Sequence, residues 1–174
     1  MKYKSLVLSL IFVMGIIMIY LLSDENKVVS KVPYQGGDAP NFELIDTDKK
    51  SWKLSELNGK VILLNFWATW CDTCKEEKPF FNKLYEEFKN NKDIIFLTVL
   101  YNDDINKAIN YMNRNSYKFP IIEDTNKIYL RFGLKGVPET FVIDKRGKIA
   151  QKIIGPIKWD SPDVKDAILR LLKS

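Results

Sequence analysis

The alternation of apolar and polar residues divides the first half of the chain into segments with distinct predicted structures. The segment NFELIDTDKKSWKL, residues 41–54, places two strand-like pieces around a polar turn, which predicts a β-hairpin. GKVILLNFW is a continuous apolar run after Gly59, a pattern typical of a fully buried strand. Over residues 72–90, apolar side chains recur at helical spacing and predict a helix directly after that strand.

The second half predicts further strands and helices. DIIFLTVLY indicates a second buried strand, the apolar residues of 105–112 indicate a second helix, and IYLRFGL indicates a short helical turn. ETFVID and KIAQKII flank the turn KRG and predict antiparallel strands. The last helix is predicted to begin near Ser161-Pro162. This order predicts an α/β fold, in which a mixed central sheet carries helices on both faces and an N-terminal hairpin extends it.

The N-terminus has the pattern of a membrane anchor. Lys2 and Lys4 precede an uncharged, mostly apolar stretch over residues 5–23, long enough to span a bilayer. A cleaved signal peptide is the alternative, but the apolar run is longer than usual and no small-x-small cleavage site follows it. We therefore predict a transmembrane signal-anchor at 1–23, a tether at 24–35 and a domain at 36–174. The lysines predict a single-pass protein of the cell membrane whose domain is extracytoplasmic.

Composition narrows the chemistry. The chain of 174 residues is 46% hydrophobic and carries a net charge of +5 from dispersed lysines, so a nucleic-acid partner is not expected. It contains no histidine, which excludes histidine-based acid–base catalysis and mixed Cys/His zinc sites. No metal site is therefore predicted.

The two cysteines, Cys71 and Cys74, lie within NFWATWCDTCKEEKP and leave four interpretations open. A structural disulfide would close a very small loop and stabilise little. A zinc half-site would need two further ligands, and two unrelated buried thiols would not explain the strand-to-helix junction. A dithiol–disulfide redox centre fits best, because a helix N-terminus stabilises a thiolate at Cys71 and places Cys74 one turn further on the same face.

The neighbours of the pair favour a reductant over an oxidant. Asp72 lies between the cysteines, Glu76 and Glu77 follow, and nearby carboxylates disfavour a thiolate. Lys75 and Lys78 partly offset them, although all five could be plain surface charges. A strongly oxidising pair needs a reduced form that is specially stabilised. No residue between the two cysteines stabilises a thiolate, so the sequence favours a reductant.

The motif GKVILLNFWATWCDTCKEEKP resembles the active-site region of the thioredoxin-like fold, in particular the membrane-tethered TlpA/ResA/CcmG (DsbE) group. FGLKGVPETFVID is similar to the cis-proline segment of that family, and GDAPNFELID to its opening strand. The resemblance extends from about residue 36 to the C-terminus. It implies a thiol-disulfide oxidoreductase that needs no cofactor beyond a redox-active Cys71–Cys74 disulfide.

The resemblance also implies roles for individual residues. Cys71 would be the nucleophile, Cys74 the resolving thiol and Glu77 the acidic group that assists proton transfer. Substrate would contact the Val137-Pro138 segment, predicted to be cis, with Glu139 beside it. Trp70 is a further substrate-contact candidate, although it could instead be a core aromatic. Asp103 is one more possible acidic group.

One departure from thioredoxin concerns the buried aspartate of its DFW motif, which is Asn65 here, so the proton must be handled elsewhere and Glu77 is the candidate. The dipeptide Asp72-Thr73 leaves the subgroup open.

The substrate that the family implies is a protein disulfide, such as the haem-binding CxxCH of apocytochrome c, with a CcdA/DsbD-type membrane protein as electron donor. General exchange on other exported proteins and a non-catalytic binding module are the alternatives. A peroxidase is disfavoured, because the threonine expected three residues before its reactive cysteine is absent.

Overall fold

The computed structural model describes residue 3, residues 10–18 and residues 34–174. The chain divides between residues 31 and 32 into two units. In the first unit, residues 10–18 are helical (α1). Within the described residues, no helix is both long enough and apolar enough to cross a bilayer. Much of the predicted anchor at 1–23 and most of the predicted tether at 24–35 lie outside the described residues, so both stay predictions.

The second unit begins with the predicted hairpin, in which β1 (Glu43–Ile45) pairs antiparallel with β2 (Ser51–Lys53). A five-stranded sheet follows, with the spatial order β5-β4-β3-β6-β7. Its strands are β3 (Val61–Trp67), β4 (Ile94–Leu100), β5 (Ile121–Glu123), β6 (Glu139–Ile143) and β7 (Ile149–Ile154). The helices of this unit are α2 (Asp72–Phe88), α3 (Ile105–Asn115), α4 (Ile128–Arg131) and α5 (Pro162–Lys173).

The sheet is mixed, as predicted. β3 pairs parallel with β4, which pairs parallel with β5, whereas β3 and β6 and then β6 and β7 pair antiparallel. The two crossovers β3-α2-β4 and β4-α3-β5 step in the same direction across the sheet. Because such crossovers are right-handed, both place their helix on the same face.

Two hydrophobic cores lie on opposite faces of this sheet. Residues of α2, α3 and α5 pack with Leu63 and Trp67 on one face. The hairpin and α4 pack with Ile62, Leu64 and Phe66 on the other. Successive residues of β3 thus alternate between the two cores, and all seven are buried. Helices on both faces of a mixed sheet are what the thioredoxin-like prediction requires.

One strand was not predicted. β5 follows Pro120 and has only three residues, and a strand of that length is too short for a periodic pattern to be recognised. Its place in the sheet comes from the ladder with β4, in which Thr98 pairs with Ile121 and Leu100 with Glu123. The strand is therefore specified by its neighbour more than by its own sequence.

Candidate active site

The cysteine pair lies where β3 gives way to α2. Cys71 is the N-cap residue of α2, with extended backbone angles (φ −91°, ψ 108°). Its Sγ accepts a hydrogen bond from the Cys74 backbone N–H at 3.1 Å, and the two residues form a disulfide. An N-cap position places the sulfur against the unpaired N–H groups at the positive end of the helix.

The two sulfurs differ in access to solvent. Cys71 is 6% exposed, whereas Cys74 is fully buried behind it. An incoming disulfide would therefore meet Cys71 first. This asymmetry separates the two cysteines without reference to sequence order.

The segment around Pro138 lies beside the disulfide. The Val137–Pro138 peptide is cis, and the Val137 carbonyl oxygen is 3.5 Å from Cys71 Sγ. Val137 is half-buried and Pro138 is buried. Two motifs separated by more than sixty residues in sequence thus meet at the sulfur of Cys71.

Trp70 lies on the surface next to Cys71. Its side chain is 55% exposed, and its Nε1–H donates to the Asn102 carbonyl at 3.1 Å. The Trp70 ring also lies 6.4 Å from the ring of Tyr101. By contrast, Trp67 is fully buried. Of the two tryptophans, Trp67 is the core aromatic and Trp70 is available for contact with another molecule.

The loop that leads into Cys71 is held by the loop after β4. The Asp103 carboxylate accepts the Thr69 backbone N–H, and the Tyr101 N–H donates to the Trp67 carbonyl at 2.9 Å. The structure thus places Asp103, a possible acidic group of the site, as an anchor for the backbone before Trp70.

Glu77 is buried beneath the cysteines. It is 1% exposed and lies one helical turn after Cys74 on α2. Its Oε1 accepts from Asn65 Nδ2 at 3.0 Å and its Oε2 from Trp159 Nε1 at 3.2 Å. Burial raises the pKa of this carboxyl above its ordinary value, against the opposing effects of Lys78 and the hydrogen bonds. The raised pKa makes this carboxylate a better proton acceptor than that of an exposed glutamate.

Lys78 is buried beside Glu77. It is fully buried, and its Nζ donates to Asn65 Oδ1 at 2.6 Å. Burial lowers the pKa of this ammonium to about 7, and Glu77 opposes the shift. Because Asn65 Nδ2 also donates to Thr140 Oγ1 at 2.8 Å, one amide binds three neighbouring side chains.

Glu139 does not join the group of polar side chains around Asn65. Asn65 pairs with Thr140 across β3 and β6, so the preceding Glu139 projects to the opposite face of the sheet. Glu139 is fully buried. Its Oε1 forms an ion pair with Lys152 Nζ at 2.7 Å, and its Oε2 accepts the Lys135 N–H at 3.0 Å. The carboxylate therefore holds the loop before Pro138 and presents no surface to a substrate.

Three residues that contact Glu77 or its hydrogen-bonded partner lie outside the predicted site. The sequence allows Lys78 to be a surface charge, yet it follows Cys74 by four residues and precedes Phe81 by three, which is the spacing of a buried helix face. The sequence identifies Asn65 only as the replacement for an aspartate. Nothing in the sequence linked Trp159 to Glu77, which lies 82 residues earlier.

Comparisons with known proteins agree with this geometry. The Redoxin family model matches residues 35–168. The thiol-disulfide oxidoreductase ResA of Bacillus thuringiensis (strain Al Hakam) is 40% identical over 123 residues, which cover 69% of each chain. ResA of Bacillus subtilis (strain 168) is 36% identical over 122 residues, which cover 70% of this chain and 68% of that protein.

A solved structure of similar fold comes from Chlorobium tepidum and is described as the thiol:disulfide interchange protein DsbE. It superposes with a TM-score of 0.71 at 28% identity and covers 80% of this chain and 99% of that one. Such proteins use a redox-active cysteine pair and act on protein disulfides. The chain therefore belongs to the Redoxin family, as a TlpA/ResA/CcmG-like member of the thioredoxin superfamily, and is a protein-disulfide oxidoreductase.

Proposed function

We propose that this oxidoreductase is tethered to the membrane, faces an extracytoplasmic space and acts as a reductant, with Cys71 as nucleophile and Cys74 as resolving thiol. The observation that carries the assignment of roles is the N-cap position of Cys71, whose Sγ accepts the Cys74 N–H at 3.1 Å. In the reduced enzyme the same N–H and the helix dipole stabilise a thiolate at Cys71. The greater exposure of Cys71 supports the same order of attack.

The reaction proceeds in two exchanges. The Cys71 thiolate attacks one sulfur of the substrate disulfide, the substrate S–S bond breaks, and the second substrate sulfur leaves with the electron pair. Cys74 then loses its proton and attacks Cys71 Sγ, so that the Cys71–Cys74 bond forms and the first substrate sulfur leaves. In total the substrate gains two electrons and two protons, and the enzyme loses them.

Glu77 is the proton acceptor for Cys74 in this proposal. It lies one turn along the same helix face and, like Cys74, is buried. Its raised pKa makes the Glu77 carboxylate a stronger base toward a thiol than an exposed glutamate would be. Because Asn65 has no ionisable group, Glu77 replaces the carboxylate that thioredoxin has at that position.

Contacts with the substrate come from the surface around Cys71. Trp70 offers an exposed ring, and the backbone of Val137 and Pro138 lies beside the reactive sulfur. Strand-like pairing with that backbone would hold a substrate segment across the disulfide. Glu139 acts indirectly, by holding the loop through the Lys135 N–H.

The charges at the start of α2 support the proposed direction of electron flow. Asp72 is an exposed residue whose carboxylate pairs with Lys75 at 2.9 Å, and this contact lowers the pKa of Asp72. Lys75 is thus engaged with Asp72, and Lys78 is buried against Asn65. With both lysines occupied, no cation on this helix face favours the Cys71 thiolate strongly enough for an oxidant.

The physiological substrate that we propose is the haem-binding CxxCH of apocytochrome c, with re-reduction of the enzyme by a CcdA/DsbD-type membrane donor. The support is the resemblance of the cysteine and Val137-Pro138 motifs to the tethered group. The alternative is general exchange on exported proteins, which predicts a broader range of substrates. Rates with a disulfide-bonded CxxCH peptide and with an unrelated disulfide peptide separate the two: a clear preference for CxxCH supports the proposal, and equal rates support general exchange.

The decisive experiment is equilibration of the full-length chain in detergent against thiol buffers to obtain the potential of the Cys71–Cys74 couple. A potential near or below that of thioredoxin, about −270 mV, is expected of a reductant. A potential near about −120 mV would identify a disulfide donor instead. A pair that fails to exchange would leave only a binding role.

A further inference from the structure

Lys78 is an unusual residue for the interior of this domain. A fully buried lysine is rare, because removing an ammonium from water is costly unless it is paired and hydrogen-bonded. Among the residues that the structure describes, its Nζ has one polar contact, Asn65 Oδ1 at 2.6 Å. The rings of Trp67, Phe81 and Phe119 surround it at 4.4, 5.0 and 5.4 Å from Nζ to the centroids. The chain retains this charge directly beside Glu77.

Hydrogen-bond inventory explains why Asn65 and Lys78 belong together. An ammonium has only donors and a carboxylate only acceptors, whereas an amide offers one oxygen and one NH₂ group. With Lys78 on its oxygen, Asn65 must direct its NH₂ group to Glu77, as the distances of 2.6 and 3.0 Å show. Without a donor at position 78, nothing on that side would fix the amide orientation. The flipped amide would place its oxygen against the carboxylate.

We propose that Lys78 is a positioning residue of the thiol–disulfide exchange, which acts through Asn65 to keep Glu77 ionised and ready to accept the Cys74 proton. It does so in two ways, by its positive charge and by fixing the Asn65 amide as a donor to Glu77. Lys78 itself touches neither sulfur in this assignment. The inference rests on the proposed function for the role of Glu77, and it adds the group that controls that role.

Of the groups around Lys78, Glu77 is the one on which the lysine charge acts. Lys78 and Glu77, both among the described residues, make no direct ion pair, so the Asn65 amide is their connection. On α2, Cys74 is the other titratable group of the buried face. The strands contribute the neutral Asn65, Trp67 and Thr140.

The remaining segments of this site contribute aromatic rings: Phe119 before β5 lies near Lys78 Nζ, and Trp159 before α5 contacts Phe81 and Glu77. The Glu139–Lys152 pair lies across the sheet and belongs to the other core. The direction of the effect agrees with the pKa of Glu77, which Lys78 lowers against the larger effect of burial.

The step that depends on Lys78 is the second exchange. The Cys74 S–H bond breaks and its proton passes to the Glu77 carboxylate, while the sulfur keeps the electron pair and attacks Cys71 Sγ. The bond between Cys71 and the substrate breaks, and the substrate thiolate leaves and later takes a proton. A Glu77 that is already protonated cannot accept the Cys74 proton, so loss of Lys78 slows this step at low pH.

The test is Lys78→Met in the full-length chain, with Lys83→Met as the matched control. Both changes remove one lysine of α2, but Lys83 is 65% exposed and pairs with Asp160. Methionine fills most of the space of a buried lysine, and apolar replacement of a buried charge is often tolerated or stabilising. The first readout is the Glu77 pKa in the reduced protein, from ¹³C NMR of labelled glutamate carboxyls, with Glu77→Gln used to assign the signal.

In Lys78→Met we expect the Glu77 pKa to rise by about one unit or more. The pKa that defines the acid limb of the pH–rate profile should rise by the same amount. At pH values below both the old and the new pKa, this shift is about a tenfold loss of rate. Lys83→Met should leave both unchanged. Lys78→Arg, which keeps a charged donor, should bring the Glu77 pKa part of the way back to its wild-type position.

The double variant Glu77→Gln/Lys78→Met separates failure of the inference from failure of the proposed function. If Lys78 acts through Glu77, removing Lys78 in the Glu77→Gln background leaves the pH–rate profile of Glu77→Gln unchanged. An unchanged Glu77 pKa in Lys78→Met would overturn the inference and leave Lys78 a packing residue. Full activity of Glu77→Gln would instead overturn the proposed role of Glu77, whatever the NMR titration shows.

Discussion

The indole of Trp159 donates its Nε1–H to Glu77 Oε2 at 3.2 Å, which joins the segment before α5 to the helix that carries the cysteines. Trp159 is 1% exposed, and its ring packs edge-on against Phe81 at 5.5 Å. A buried indole N–H must find an acceptor, and here the acceptor is a carboxylate. The tryptophan thus stabilises the ionised form of Glu77.

Trp159→Phe should therefore raise the pKa of Glu77 and destabilise the domain. Phenylalanine keeps much of the packing but removes the donor, which leaves one oxygen of a buried carboxylate without its partner. Loss of such a bond costs about 1–3 kcal/mol of unfolding free energy. Urea unfolding and the acid limb of the pH–rate profile measure the two effects.

Trp52→Phe is a matched control for that variant. Trp52 is also buried and donates its Nε1–H to a carboxylate, Asp46 Oδ2, at 2.8 Å. It lies in β2, in the other core. A loss of stability in both variants, with a shifted acid limb only in Trp159→Phe, is the expected pattern. A shift in both would show that destabilisation alone moves the limb.

Cys74→Ser should trap the enzyme on its substrate. Without the resolving thiol, the mixed disulfide between Cys71 and the substrate cannot be released by the second exchange. Intact-mass measurement after reaction with a disulfide peptide should show one covalently bound peptide. Cys71→Ser is the comparison and should show none, because Cys74 is fully buried. Equal adducts on both variants would contradict the assigned order of attack.

Lys152→Met should destabilise the loop before Pro138. The substitution leaves the fully buried Glu139 carboxylate without its ion-pair partner, and breaking a buried pair costs about 3–5 kcal/mol. We expect a large drop in the midpoint of urea unfolding. Adding Glu139→Gln to the same chain should recover part of it, since the uncompensated charge is then gone. No recovery would show that Lys152 contributes through packing alone.

The stability of the protein should depend on pH through Lys78 in a defined window. Between about pH 7 and the ordinary pKa of 10.5, the unfolded chain holds a proton on Lys78 that the folded chain has lost. Raising the pH through this window therefore increases the free energy of unfolding. Glu77 acts in the opposite sense at acid pH, because its raised pKa makes the folded state hold a proton that the unfolded state loses above 4.5.

Urea unfolding of the wild type and Lys78→Met at pH 7 and pH 10 isolates the lysine contribution. From pH 7 to pH 10, the wild type should gain unfolding free energy relative to Lys78→Met. We expect this relative gain to exceed about 1.4 kcal/mol, the equivalent of one pKa unit. A constant difference across this range would mean that Lys78 titrates normally in the folded protein.

The predicted anchor can be tested by deletion. A chain without residues 1–23 should move from the membrane fraction to the soluble fraction and keep its exchange activity toward a small disulfide peptide. Protease added to intact spheroplasts should digest the domain of the full-length protein if it faces outward. Protection from that protease, or an unchanged membrane association of the deleted chain, would contradict the topology that we propose.

Much of the fold could be predicted from the sequence, because the apolar runs are long where the strands are central. The run that became β3 is seven residues, all buried, and its alternation serves two cores at once. β5 could not be predicted, since its three residues take their conformation from the neighbouring β4. Ser161 is the N-cap of α5, as predicted, but makes no side-chain capping bond.

From local patterns alone, the candidate site could be predicted only where its residues are close in sequence, whereas the Val137-Pro138 segment beside Cys71 could be predicted from the family resemblance. Cys71, Cys74 and Glu77 share one helix, so their spacing alone places them on one face. Asn65 and Trp159 reach Glu77 through tertiary contacts from β3 and from the segment before α5. No periodic pattern encodes such contacts. The position of Lys78 on the helix indicates burial, but its charge indicates exposure, because lysine side chains are rarely fully buried.

The contact between Trp159 and Glu77 has a consequence for the order in which the protein matures. Trp159 follows Cys74 by 85 residues, so during synthesis both cysteines leave the ribosome well before the indole is available. In that interval Glu77 lacks the hydrogen bond that the indole gives it in the folded domain. A chain that stalls or is cut before residue 159 thus carries the whole cysteine motif but an incomplete environment for Glu77. With the role that we propose for Glu77, completion of the segment that carries Trp159, and not formation of the cysteine motif, is the step that makes the enzyme competent.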